Sequence, residues 1–95
     1  MNLYLVLKNP WYEMIKSGIK KEEYREISDF YKRRFYDKSG NLKQFDTLEF
    51  VLGYPPKEDM SRRLFFKNPK IEIRSGNPAW GAEPGKEYFV ITWEE

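Results

Sequence analysis

Apolar and polar positions change their period several times along the chain, and each change marks an element. Leu3-Tyr4-Leu5-Val6-Leu7-Lys8 is nearly uninterrupted in apolar β-formers, which predicts a strand buried on both faces. Trp11, Met14 and Ile15 then recur at i, i+3 and i+4, one inward face of a short helix running to about Ser17. Asn9 caps it and Pro10 takes its first position, where a missing donor is harmless. Trp11 either joins the core or lines a cleft beside the helix start. Gly18, just past that apolar face, predicts a left-handed stop, because only glycine enters that conformation without a Cβ clash.

Residues 21–27 read as a second strand, and Ser28 as the N-cap of a second helix from Asp29 to about Tyr36, with Tyr31 stacked on Phe35 at i, i+4. Lys32, Arg33 and Arg34 form a basic collar at its end, or simply a solvated helix terminus. A turn at 37–41 leads to a strand over 45–52, which Gly53-Tyr54-Pro55-Pro56 ends. Strands follow over 62–66 and over Lys70-Ile71-Glu72-Ile73-Arg74, the latter alternating strictly with both isoleucines inward. The eleven residues 75–85 are dominated by glycine, proline and small side chains and predict a long rigid loop, in which Trp80 is either a site element or a plug. Residues 86–93 close the chain as a strand, Tyr88, Val90 and Thr92 on one face and Phe89, Ile91 and Trp93 on the other.

The order β-α-β-α-β-β-β, with the stretch after Arg62 either one strand or subdivided, predicts an α+β fold, a small curled sheet or open β-barrel of about five strands with two short helices. Residues 1–95 make one domain, without repeats, low-complexity tracts or linkers.

Composition narrows the chemistry. Cysteine and histidine are both absent, so disulfides, thiolate ligands and imidazole bases are excluded, and neither metal nor cofactor is expected. Catalysis would fall to Lys, Glu, Asp, Tyr, Ser or Thr. Aromatics make up 18% of the chain, which suits a compact β-rich core and also stacking on bases. The net charge of +2 is unevenly spread, at +3 over residues 1–38, +2 over 39–75 and −3 over 76–95. A basic body hints at a polyanionic partner. No apolar run is long enough to span a membrane and the N-terminus has no signal-peptide pattern, so a cytoplasmic location is expected.

The densest chemistry lies where helix turns to strand, at Gly18-Ile-Lys-Lys-Glu-Glu-Tyr-Arg25. Alternation puts Lys21, Glu23 and Arg25 on one face and Glu22 and Tyr24 on the other. If Lys20 lies in the preceding turn, its ammonium swings toward Glu23 and Arg25, grouping a base, an acid and a guanidinium. The plain alternatives are a solvated edge and an ion pair that serves only architecture.

Pro10-Trp11 followed by Gly18, Lys20, Glu23 and Arg25 in the spacing G-x-K-x-x-E-x-R resembles the signature of ASCH domains, small β-barrels similar to PUA domains. Pro78-Ala79-Trp80-Gly81 fits the same resemblance, which covers essentially the whole chain. It implies a cleft between the first helix and the barrel that takes RNA or another nucleotide ligand. Lys20 would contact phosphate or polarise a carbonyl, Glu23 would accept from a base amino group or act as base, and Arg25 would orient Glu23 or clamp phosphate. Gly18 would serve geometry alone. In the leading reading the protein is an RNA- or nucleotide-binding module, with Lys20, Lys21, Arg25, Arg62 and Arg63 on the backbone and Trp11 or Trp80 under a base. The alternative is a small hydrolase of a modified nucleoside or RNA, Lys20 and Glu23 activating water. Some ASCH-like amidohydrolases use a threonine three residues after the motif lysine, and this chain carries Glu23 there.

Overall fold

The computed structural model describes residues 1–95 and shows an α+β fold, a five-stranded mixed sheet with two short helices. In chain order these are β1 (Asn2–Leu7), α1 (Trp11–Lys16), β2 (Glu23–Arg25), α2 (Asp29–Phe35), β3 (Thr47–Leu52), β4 (Arg63–Ser75) and β5 (Glu87–Glu94). The strands lie in the order β1-β3-β4-β5-β2; β1 and β3 are parallel and every other pairing is antiparallel. No helix is long and apolar enough to cross a membrane.

Directly opposed residues share a face, so the register identifies the core side. Leu3, Leu48 and Phe66 form one inward row and Leu5, Phe50 and Leu64 the next. Further along, Ile71 and Ile91, then Ile73 and Phe89, continue that face. Tyr12 and Ile15 of α1 and Phe35 of α2 close over it, giving the main apolar core, and a smaller cluster of Ala82, Tyr88 and Val90 lies apart from it. At β2 the same rows end on Glu23, opposite Ile91, and Arg25, opposite Phe89. Two inward positions of the sheet are therefore charged, and that exception places the site.

Four expectations are corrected or refined. β1 buries only one face, Leu3, Leu5 and Leu7, while Tyr4 is 36% exposed, because both helices pack on the inner face and the outer one meets only loop residues such as Pro55 and Met60 around a hollow. The stretch after Arg62, one strand or two by its sequence, is the single strand β4 interrupted by a bulge, where Asn68 takes φ +48° and the ladder with β5 skips from Lys67 to Lys70. Ile73, though inward, is 43% exposed, since β3 stops at the level of Lys67 and leaves that end of the sheet without a neighbour. In α1 the buried residues are Tyr12 and Ile15; Trp11 and Met14 are half-buried, and Trp11 turns toward Gly81 instead of the core.

Candidate functional site

α1 ends as the sequence requires. Gly18 has φ +83°, its N–H donates to the Ile15 carbonyl at 3.0 Å, and Ile19 N–H donates to the Met14 carbonyl at 2.9 Å. These are the paired bonds of a Schellman stop. The Lys20 N–H also reaches the Met14 carbonyl, at 3.0 Å, so the chain reverses tightly and Lys20 leaves the turn pointing inward. The Asn9–Pro10 peptide ahead of α1 is cis, and the Asn9 side chain accepts from Glu13 N–H at 3.3 Å.

Lys20 is only 2% exposed. Its ammonium donates to the Trp80 carbonyl at 2.6 Å, lies 3.2 Å from Glu23 Oε1, and sits 4.8 Å and 5.0 Å from the ring centres of Trp11 and Tyr24. Two aromatic faces, a carboxylate and a peptide oxygen thus enclose the cation, an arrangement that partly offsets its lost hydration. Burial nevertheless lowers the Lys20 pKa, with Glu23 opposing the shift.

Glu23 shares its two oxygens. Oε1 faces Lys20, and Oε2 accepts from Arg25 Nη2 at 2.8 Å. The Arg25 guanidinium then spans the sheet, donating to the Val6 carbonyl of β1 at 2.7 Å and to the Tyr31 hydroxyl of α2 at 2.8 Å. Its Nε is buried without a partner. Because β1 and β2 are the two outer strands, this side chain links edges that no backbone hydrogen bond joins.

A second polar chain lies on the opposite face of β2. Arg74 holds Glu22, Glu22 accepts from the Tyr24 hydroxyl at 2.8 Å, and that hydroxyl accepts from Asn77 N–H at 2.8 Å. The Arg74 hydrogen bond keeps the Glu22 carboxyl below the usual range, and burial pushes the Tyr24 phenol up to about 12. Gly76 lies flat under this ring, where a Cβ would come within 2.5 Å of Tyr24 Cε1. Gly81, with φ +102°, similarly receives Trp11, whose Cζ2 would be 3.0 Å from a Cβ. The loop over 75–85 is thereby clamped to β2 and α1 through glycine contacts and the Lys20–Trp80 bond.

Between α1, β1 and α2 these groups leave an open groove of about 300 Å³, lined by Trp11, Tyr31, Lys8, Glu23, Tyr24, Arg25, Glu26, Val6 and Leu7. Two larger hollows of about 510 Å³ lie elsewhere, one beside the β4 bulge and one on the outer face around Tyr4 and Phe65. No protein-family model, curated protein or solved structure matches the chain.

Of the residues expected at a site, Trp11, Lys20, Glu23 and Arg25 come together, and Trp80 joins them through its carbonyl. Lys21 is exposed and lines no part of the groove, with its ammonium folded back over Gly18. Arg62 sits in the 3-10 turn Met60–Arg62 before β4 and is absent from the groove wall, as is Arg63, which pairs with Glu49 at 2.7 Å on the outer face. Tyr31 was legible only as a stacking partner of Phe35, 5.4 Å between ring centres, and its hydroxyl contact with Arg25 had no local signal. Lys8, at the end of the first apolar run, was likewise missed as a groove residue. No three His, Cys, Asp or Glu side chains come together as a cation site.

Proposed function

We propose that the chain is an RNA- or nucleotide-binding module of the ASCH type on a PUA-like open barrel, its ligand lying in the groove between α1 and the sheet. One observation carries the reading. Glu23 occupies a core-facing position, is held on both oxygens by Lys20 and Arg25, and still lines an open groove whose walls include Trp11 and Tyr31. Burying such a charge is expensive, so its presence favours a role in recognition or fold specificity. A carboxylate aimed into an aromatic-walled groove accepts from the exocyclic amino group of cytosine or adenine while a ring stacks on the base.

The roles shift accordingly. The enclosed Lys20 ammonium is a positioning group for Glu23 and the 75–85 loop, not a phosphate contact, and phosphate falls to Lys8 on the groove wall. The test is titration with short RNAs and single nucleotides at two salt concentrations, with Glu23→Gln beside the parent. Expected are salt-sensitive binding of intact ligand by the parent and a loss of about tenfold or more in the variant, whose shape is kept. Equal affinity of variant and parent would remove Glu23 from recognition.

The hydrolase reading keeps one supporting observation, the lysine of lowered pKa 3.2 Å from a carboxylate. It requires the Lys20 box to open to substrate. A nucleoside product of changed mass, abolished by Lys20→Ala, would select it.

A further inference from the structure

The second half of β4 runs as an uncovered sheet edge. β3 pairs with β4 only as far as Lys67, whereas β5 stays paired along its other side to Ser75. The change falls at the bulge of Asn68 and Pro69. From residue 69 to residue 76 no backbone group enters a backbone hydrogen bond outside the β4–β5 ladder, and the Ser75 carbonyl receives only a 3.4 Å contact from Arg74. Successive residues of a strand turn their N–H and C=O groups to opposite sides, so alternate groups over 70–75 project where β3 would have continued and find no strand there. The hollow of about 510 Å³ opens beside them, bounded across the gap by residues 42–46.

The side chains on this edge follow a self-complementary order. Lys70, Glu72 and Arg74 carry plus, minus and plus on one face, and Ile71 and Ile73 occupy the other. Lys70 and Glu72 are exposed, and Ile73 exposes 43% of its surface. We propose that this edge pairs antiparallel with the same edge of a second copy of the chain, about a two-fold axis at Ile73. In that register Ile73 faces Ile73, each Glu72 faces Arg74 of the other copy, and Ile71 faces Ser75. Both charge pairs are of opposite sign and the exposed isoleucines cover one another. Moving the axis to Glu72 would set Glu72 against Glu72 and Lys70 against Arg74, which like-charge repulsion disfavours. An axis at Ile71 would also oppose Lys70 and Glu72, but it would bring the bulge into the ladder, with Pro69, which has no N–H to donate, opposite Ile73. Charge and the bulge together select the axis at Ile73, and the alternating signs make this chain its own partner.

One strand pair is a small contact, well under the ~1,200 Å² of a standard stable interface, so the dimer is weak and concentration-dependent. It lies on β4, while the groove uses β1, β2 and the helices, and the two proposals stand or fall separately.

The absence of native cysteine makes the test direct. Sedimentation of the parent over a concentration series should show a monomer–dimer equilibrium, and Ile73→Lys should weaken it at least about tenfold by placing like charges on the axis. Ile73→Cys, under mild oxidation, should give a covalent dimer, since directly opposed Cβ atoms stand about 4.5–5.5 Å apart. Glu72→Cys, equally accessible but facing Arg74, should cross-link far less. A parent that stays monomeric at its highest soluble concentration overturns the pairing, as does equal cross-linking of the two cysteine variants. A monomeric parent that instead takes up extended peptides along this edge would assign it to a foreign strand and equally overturn the pairing.

Discussion

β1 and the second half of β4 each run with one side unpaired, yet only one of them is finished by side chains. Along β1, the odd-numbered carbonyls of Met1 and Leu7 bond toward β3 and its flanks, which turns the even-numbered ones outward. Of the outward carbonyls of Asn2, Tyr4 and Val6, two receive a guanidinium, Val6 from Arg25 and Tyr4 from Arg34. Over residues 69–75 of β4 the one such contact is the 3.4 Å approach of Arg74 to its neighbour's carbonyl, and the charges otherwise alternate along the strand. A planar cation with five donors can satisfy edge carbonyls in place of a strand, but it must be anchored, and anchoring Arg25 takes a buried carboxylate. The groove lies at the edge so anchored.

The largest break in that comparison comes from Glu23. Glu23→Ala leaves Lys20 enclosed with only the Trp80 carbonyl as its oxygen partner and frees one Arg25 contact. A loss of about 3–5 kcal/mol is expected, read from the urea midpoint, because removing one member of a buried charged group strands the others. Arg25→Lys is expected to cost less, about 1–3 kcal/mol. An ammonium keeps charge for Glu23 but cannot reach Val6, Tyr31 and Glu23 together with a guanidinium's fixed fork. Its distinguishing signature is faster amide hydrogen exchange in β1 than in β4. Uniform acceleration across the sheet would mean that Arg25 stabilises the whole fold and does not seal that edge.

What the sequence disclosed and what it concealed divide along similar lines. Features written in a few neighbouring residues were readable: the Gly18 stop, the Ser28 cap that accepts from Tyr31 N–H, the alternation of β5, and the grouping of Lys20, Glu23 and Arg25. Two helices and five strands follow from such signals. Pairing between distant strands is not written that way. The parallel match of β1 with β3 joins segments more than forty residues apart, and with it goes the fact that β1 is an edge. Pro69 reads locally as a strand breaker, although β4 passes through it by a bulge. For the same reason Glu23 and Arg25 were visible as neighbours on one face, while the identity of that face as the core side depended on β5 lying beside them. Of the two alternatives for Trp11, core or cleft, the structure takes the cleft, because Gly81, seventy residues away, leaves room for its ring.

The smallest effect concerns the point where the bare edge ends. Beyond Ser75 the chain passes under Tyr24, whose hydroxyl donates to Glu22 and accepts from Asn77 N–H. Tyr24→Phe removes both bonds and keeps the ring over Gly76, so about 1–2 kcal/mol should be lost near neutral pH. The Tyr24 phenol is raised from 10.0 to about 12 in the folded protein, and between those values the native state holds a proton that the unfolded chain has released. Stability from this group is therefore complete below pH 10 and falls as pH rises toward 12. Lys20 works in the opposite direction: its lowered pKa makes the unfolded chain the better proton binder below 10.5, so its contribution rises with pH in that interval. Both variant and parent carry Lys20, which cancels from their difference. The stability gap between parent and Tyr24→Phe should hold constant up to about pH 10 and then close, measured by urea titration at intervals of pH. A gap that persists unchanged to pH 12 would show that the phenol ionises no later in the folded chain than in the unfolded one, and the absence of a gap at any pH would show that the clamp on the 75–85 loop rests on ring packing over Gly76 alone.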